Sequence, residues 1–308
     1  MFEAARALHE FGLNPDLLYL GNLRSPLGIV RARQLVRTRS AAYDIVHSQF
    51  GSACAVATQS CRSALKVVSL RGSDWTPAYS SSPVWRAHGQ VATWLTRRSL
   101  PSYDLAICVS HRIEQEVRKL YPTLQTIVQA DPIDLAKFKP MPKSDARRAL
   151  GLPDSGEKYV LFTALKRRAQ NKRIELAEAA IHSAQRTYPG LRILVASGYS
   201  HAQMPTLAAA ADVAICTSIA EGWPNSMKEA LACGVPFVAT DVSDLAAIAR
   251  EDPSCHVVSP TPEALGAALV AVLGMAEHGD LRRHLAPMSM GAFARKMLDA
   301  YQGLLERR

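Results

Sequence analysis

Glu221 and Glu229, two carboxylates eight positions apart, bracket the stretch Gly222, Trp223, Pro224, Asn225 and Ser226. The apolar run ahead of them, residues 213–218, reads as a buried strand. SMKEALA after them reads as a helix ending near Ala232, with Gly234 as its stop and Pro236 opening the next strand. Glu221 then falls in a strand-to-helix loop and Glu229 about one turn into the helix. A helix start offers free backbone N–H groups and the positive end of a dipole, so a phosphate lying against residues 222–226 would be held without a metal. Gly222 lets such a group approach the backbone closely. A carboxylate one turn in can accept two hydrogen bonds from a ribose diol, and one in the loop can reach hydroxyls of an attached sugar. A phosphate seat between two acceptors describes a nucleotide-sugar. Taken singly, each Glu also suits helix stability alone.

The elements needed to position these residues are written in the alternation of apolar runs and helical stretches, the pattern of parallel βαβ construction. In the first half the candidate strands are residues 17–20, 43–47, 67–70, 105–110 and 126–129. Between them, residues 111–120 place Ile113, Val117 and Leu120 on one helical face. Pro132, Pro140, Pro142 and Pro153 punctuate a charged stretch that marks the domain boundary. The second half restarts with YVLFTA, a basic loop, and a helix over about residues 173–187 with Leu176, Ala179, Ala180 and Ala184 inward; strands LRILVAS, DVAICTS and PFVATD follow. The expected class is α/β, with domains at 1–140 and 141–290 and a C-terminal helix at 291–308 returning to the first. Two doubly wound domains would take their ligand in the cleft where strand carboxyl ends face each other.

The formal charge of +9 is uneven: residues 1–140 hold 17 Lys and Arg against 10 Asp and Glu, the rest 19 against 17. A cationic first half suits an anionic membrane face or a phosphorylated substrate; without interleaved surface aromatics or a known binding motif, nucleic acid is not expected. No apolar run is long enough to span a bilayer and no signal pattern opens the chain, so a cytoplasmic location is expected, with peripheral contact at the inner membrane face. The six cysteines are scattered, several inside apolar runs, and read as buried thiols with no zinc cage or disulfide framework.

The stretch EGWPNSMKEALACGVPFVATD resembles the E-x7-E motif and following EA-x-ACG-x-P-x-V of the retaining family 4 glycosyltransferases of GT-B fold. AAADVAICTS is similar to that family's strand before the motif, IVQADPIDLAKFKP to its domain-joining segment, and VVSLRGSDW to the strand and loop facing the acceptor; the resemblance spans about residues 40–305. It implies two Rossmann-like domains across a cleft. It implies that Glu229 binds the donor ribose and that Glu221, with the backbone of residues 222–225, contacts donor sugar and phosphate. The family's basic pair on the pyrophosphate matches Lys166 and Lys172, the first standing where Arg is more frequent; a Lys neutralises phosphate without an Arg's planar fork. Arg71, Gly72 and Asp74 occupy the acceptor-side loop, with Arg71 where relatives often carry His. His47 reads as a structural histidine ending a buried strand, and Trp75 as a weaker acceptor-side candidate.

The resemblance further implies sugar transfer from a nucleotide-diphosphate-sugar to a saccharide or lipid-linked acceptor, with retention, no named nucleophile and no metal or other cofactor. Relatives open with a strand and glycine-rich loop, whereas MFEAARALHEFGLNPDLLYLG is similar to the following helix and second strand, so the first domain is expected to lack its first strand and that loop. The other reading is a degenerate relative that binds a nucleotide or partner without turnover. A nicotinamide enzyme is excluded for want of a G-x-G-x-x-G turn.

Overall fold

Apolar runs become strands and the stretches between them become helices in the computed structural model, which describes residues 2–77, 79–164 and 170–308. The chain divides into two units, Met1–Pro132 with Met290–Arg308, and Ile133–Ser289. In chain order the first contains α1 (Phe2–Glu10), α2 (Pro26–Arg39), β1 (Ile45–Ser48), α3 (Ser52–Thr58), β2 (Leu65–Leu70), α4 (Pro83–Ser99), β3 (Leu105–Cys108), α5 (His111–Leu120) and β4 (Gln125–Val128). The second contains α6 (Lys143–Ala149), β5 (Lys158–Thr163), α7 (Ile174–Ala184), β6 (Leu191–Ala196), α8 (Met204–Ala210), β7 (Val213–Cys216), α9 (Asn225–Ala232), β8 (Phe237–Ala239), α10 (Leu245–Glu251), β9 (His256–Val257) and α11 (Pro262–Leu273). Helix α12 (Met290–Leu305) belongs to the first unit.

The first sheet is parallel, in the order β1-β2-β3-β4, with Ile45 opposite Leu65, Val67 opposite Leu105 and Leu105 opposite Gln125. Ala4, Ala7 and Leu8 of α1 and Phe293, Met297 and Leu304 of α12 join Val67, Leu105 and Ile107 in one apolar cluster. A second cluster sets Ala32 and Val36 of α2 against Ala57 of α3 with Cys61 and Ala64.

The second sheet is also parallel, in the order β6-β5-β7-β8-β9. The winding direction reverses between β5 and β7, where Val160 pairs with Val213. Its core packs Ile174, Ala177, Ala180, Ile181 and Ala184 of α7 with α11 over these strands. Helix α6 is tied to the sheet by Asp212, which accepts from Arg147 NH2 at 2.7 Å, from Lys143 Nζ at 2.7 Å and from the Tyr159 amide at 2.7 Å. Both sheets are Rossmann-like parallel α/β layers.

Three local expectations are corrected. Residues 17–20 form no strand: Leu17, Leu18 and Tyr19 are 57%, 45% and 84% exposed, while Leu20 packs with Leu23 against the α2–α3 cluster. Of this run only Leu20 is packed against a helical cluster, so the run fills no sheet. Leu120 closes α5 at 50% exposure, because Tyr121 ends the helix there. The inward face of α7 is turned by one position, with Ala177 and Ile181 buried and Leu176 and Ala179 only half-buried. No described helix is long and apolar enough to cross a membrane.

Candidate functional site

Where an open parallel sheet reverses its winding, the loops leaving the two central strands separate and leave a crevice at their carboxyl ends. In the second unit those are the loops after β5 and β7, carrying Lys172 and Glu221. Backbone and side chains stitch the two loops together. Ile219 N donates to Asn171 O at 2.9 Å, and Asn171 Nδ2 donates to Ala220 O at 2.9 Å. Thr217 Oγ1 donates to Lys172 O at 2.6 Å, while Arg173 returns Nε to Thr217 O at 2.6 Å and NH2 to Ser218 O at 3.1 Å. Arg173 adopts a left-handed backbone at φ 49°, rare outside glycine. The price of that conformation is offset by its guanidinium clamp, which turns the chain from Lys172 into α7.

Lys172 Nζ lies 2.7 Å from Glu221 Oε1, with the two side chains 27% and 16% exposed. Beyond Glu221, Gly222, Trp223 and Pro224 are buried, and α9 begins at Asn225 with Pro224 at its cap position and no side-chain cap. Asn225 is exposed and Ser226 half-buried at this start. Ser243 Oγ donates to Gly222 O at 2.5 Å, pinning the loop from the β8 side. Helix α9 ends as its sequence dictates, with Gly234 at φ 78° two residues past Ala232.

Glu229 sits on the fifth residue of α9, with its side chain only 14% exposed. Burial pushes its carboxyl up to about 7, against the pull of Lys228 and Lys137. His201 Nε2 stands 3.8 Å from Glu229 Oε1, and Lys137 Nζ lies 2.6 Å from His201 Nδ1. Lys137 and Phe138 come from the segment that opens the second unit, and the Phe138 ring meets His201 edge-on at 5.8 Å. Lys228, 1% exposed, lies 5.5 Å over the Trp223 ring, so the loop's aromatic is fixed from within the helix it precedes.

The structure therefore gathers Lys172, Glu221, residues 222–226 and Glu229 around one loop-to-helix junction; Lys166 lies outside the described residues. Lys137 and His201 were missed by sequence reasoning. Lys137 lies in a segment noted only as a domain join, and a lone His after β6 carries no motif.

A cavity of ≈ 750 Å³ opens beside this junction, at the carboxyl ends of β7, β8 and β9. It shares Arg173 and Ser218 with the stitched loops and is otherwise walled by groups such as Thr240, Asp241, Val258 and Ser259, without Glu221 or Glu229.

In the first unit, Arg71 is held by Asp131 and donates Nε to Gln49 O at 2.8 Å and NH2 to Gln49 Oε1 at 3.0 Å. Gly72 has φ 115°, a backbone that only glycine adopts freely. Asp74 is fully buried and accepts from the amides of Gly51, Arg71 and Gly72 at 2.8, 2.9 and 2.9 Å. Its side chain shapes the loop and is closed to a ligand; burial holds its carboxyl above the usual range despite those donors. Trp75 is also buried, with Nε1 donating to Glu116 Oε2 at 2.7 Å and Arg97 stacked 5.0 Å over the ring. His47 bridges Tyr301 OH at 2.7 Å and Ser69 Oγ at 2.8 Å, and burial drives its imidazole down to about 3. It is a neutral structural histidine.

Comparison with known proteins agrees with this layout along both units. Residues 2–135 match the profile of Glycosyltransferase Family 4, and residues 165–275 that of Glycosyl transferases group 1. The putative teichuronic acid biosynthesis glycosyltransferase TuaC of Bacillus subtilis (strain 168) is 26% identical over 246 residues, covering 73% of this chain. The chain spans 60% of that relative's length. Among solved structures, sucrose-phosphate synthase from Thermosynechococcus elongatus superposes with a TM-score of 0.78 at 18% identity, covering 99% of this chain and 92% of the other. Anabaena HepE, solved with UDP and glucose, superposes with a TM-score of 0.64 at 16% identity, covering 96% and 88%. The fold is GT-B, and the chain is similar to family 4 glycosyltransferases over each of its two units.

Proposed function

We propose that the second unit binds a nucleotide-diphosphate-sugar and that the protein transfers the sugar, with retention, to a saccharide or lipid-linked acceptor in polysaccharide assembly. The observation that carries this reading is the junction itself: an uncapped start of α9, an ammonium–carboxylate pair beside it, and a buried carboxylate one turn inside. In this reading the diphosphate rests on the amides of residues 222–226, Glu229 accepts from the ribose diol, and Glu221 meets the sugar hydroxyls. As the bond to the sugar breaks, negative charge grows on the departing phosphate. Lys172 and the helix dipole, already in place, stabilise that charge without a metal or reorganisation, and the family resemblance assigns Lys166 to the same phosphate. A phosphate oxygen takes the acceptor proton on the face it has just left, so no protein nucleophile is required. Arg71 and Gly72 are assigned to the acceptor side on the family resemblance.

HepE's bound UDP makes uridine nucleotides the first probe. Titration of the chain with UDP and UDP-sugars should show saturable binding that Glu229→Ala weakens by roughly 1–2 kcal/mol, the loss of hydrogen bonds to a charged acceptor. A matching panel of other nucleoside diphosphates covers the remaining bases. An unchanged titration for Glu229→Ala with the best nucleotide would defeat the ribose assignment, and binding without transfer to any acceptor would reduce the protein to a nucleotide-binding relative.

A further inference from the structure

Helices α2, α3 and α4 of the first unit pack in a row, α2 on α3 and α3 on α4. In α4 the usual distribution of residues is reversed. Its buried positions are Gly89, Thr93, Thr96 and Ser99, while Val84, Trp85, Val91 and Trp94 are 76%, 56%, 54% and 61% exposed. At 3.6 residues per turn Val84, His88, Val91 and the half-buried Leu95 line up, with Trp85 and Trp94 to either side. The polar inner face has a structural cause. Thr96 Oγ1 donates to Asp74 O at 2.7 Å and accepts from the Ser52 amide at 2.6 Å, and a Cβ built on Gly51 would stand 2.5 Å from that same oxygen. Small hydrogen-bonding residues are therefore required inside, but among the described residues the packing of this unit gives no reason for two tryptophans outside. An exposed apolar stripe of that kind marks a surface made for something other than water.

The charge around the stripe indicates what covers it. Helix α2 exposes Arg31, Arg33, Arg37 and Arg39, and α4 exposes Arg86, Arg97 and Arg98. Residues 17–43 and 76–103 contain no Asp, Glu or Lys. Leu27 and Val30 of α2, each 59% exposed, add further apolar surface. Tryptophan rings suit the headgroup level of a bilayer, and guanidinium groups suit anionic headgroups beside them. A second copy of the chain is a poorer occupant, since a two-fold contact would set arginine-rich faces against each other with no acid to neutralise them.

We infer that the α2–α4 side of the first unit docks on an anionic phospholipid surface, with Trp85 and Trp94 seated at the headgroup level. The inference is independent of the nucleotide reading of the second unit. The test is co-sedimentation of the full chain with phosphatidylcholine vesicles prepared with and without phosphatidylglycerol, with tryptophan emission read in parallel. The expected result is binding that needs the anionic lipid, weakens with salt, and blue-shifts the emission. Trp85→Ser with Trp94→Ser should lower partitioning by roughly tenfold, as expected for losing two large buried apolar groups, and Arg31→Gln with Arg33→Gln should lower it mainly at low salt. Both positions are exposed, so the variant's melting curve and UDP affinity should match the parent's. No partition into anionic vesicles, or unchanged partition of the double-serine variant, overturns the inference. So does a concentration-dependent dimer that the same variant dissolves, which would make a second copy the occupant. Loss of UDP binding with vesicle binding intact would count against the nucleotide reading alone.

Discussion

His201 presents Nε2 to Glu229 Oε1 at 3.8 Å while its Nδ1 faces Lys137 Nζ at 2.6 Å. An ammonium can only donate, so Nδ1 is the acceptor and the ring proton lies on Nε2, aimed at the carboxylate. Burial nevertheless dominates, and the Glu229 carboxyl rises to about 7 from 4.5. For a raised carboxyl the sign is fixed: its contribution to stability is full below its unfolded value and is lost as pH rises through the folded one. The chain is therefore expected to lose stability from this group between pH 5 and pH 8, by at most roughly 3 kcal/mol. Denaturant unfolding at the two pH values, with Glu229→Gln as the variant in which that difference flattens, is the check. Nucleotide binding should run the other way. A ribose diol calls for an ionised acceptor, so UDP affinity should rise several-fold from pH 6 to pH 8, with proton release on binding.

Glu221 and Lys172 form the pair most exposed to a direct test of function. Lys172→Ala would leave the Glu221 carboxylate, 16% exposed, without its cation. The expected pattern is a coupling of about 1 kcal/mol in a stability double-mutant cycle of Lys172→Ala and Glu221→Ala, typical of contacting charges that are partly shielded. Turnover should separate from binding. Glu221→Ala should lower kcat by roughly 100-fold with a smaller effect on donor affinity, since its proposed partner is the reacting sugar. A loss of donor affinity with kcat unchanged would instead assign Glu221 to uniform donor binding.

How much of this was legible in the sequence depends on how local each feature is. The loop at Glu221, the helix under Glu229 and the stop at Gly234 follow from a contiguous run, and the structure puts α9 at Asn225–Ala232 with Gly234 left-handed. The winding reversal between β5 and β7 is not local, yet it decides that Lys172 and Glu221 meet. The approach of Lys137 and His201 to Glu229 joins three segments far apart in the chain, and no periodicity encodes it. Residues 17–20 misled for a related reason. Their apolar content is real, but whether such a run pairs in a sheet or lies across helices is decided by neighbours the run does not contain. Asp74 and Trp75 likewise carry chemically capable groups that the fold spends internally.

Asp74 supplies a test that separates scaffold from site in the first unit. Two buried backbone N–H groups and a part-buried one depend on its carboxylate, so Asp74→Ala should destabilise the chain by roughly 2–4 kcal/mol, the cost of leaving such donors unpaired. Asp74→Asn keeps one acceptor oxygen and should lose about half as much. UDP affinity of the folded fraction should not change in either variant. Normal stability with lost transfer would contradict the structural role and return Asp74 to the acceptor side.

Arg173 concentrates two effects that substitution can separate. Its backbone is left-handed at φ 49°, and its guanidinium holds the Thr217 and Ser218 carbonyls at the end of β7. Arg173→Ala removes the clamp and keeps the backbone strain; Arg173→Gly removes the clamp and relieves the strain. Glycine should therefore be the milder variant by roughly 1 kcal/mol in unfolding free energy, the reverse of the order expected inside a helix. Both should lower turnover to a similar degree, because Lys172 is placed by the clamp and not by the dihedral. If alanine proved the more stable of the two, the left-handed backbone at Arg173 would be no source of strain.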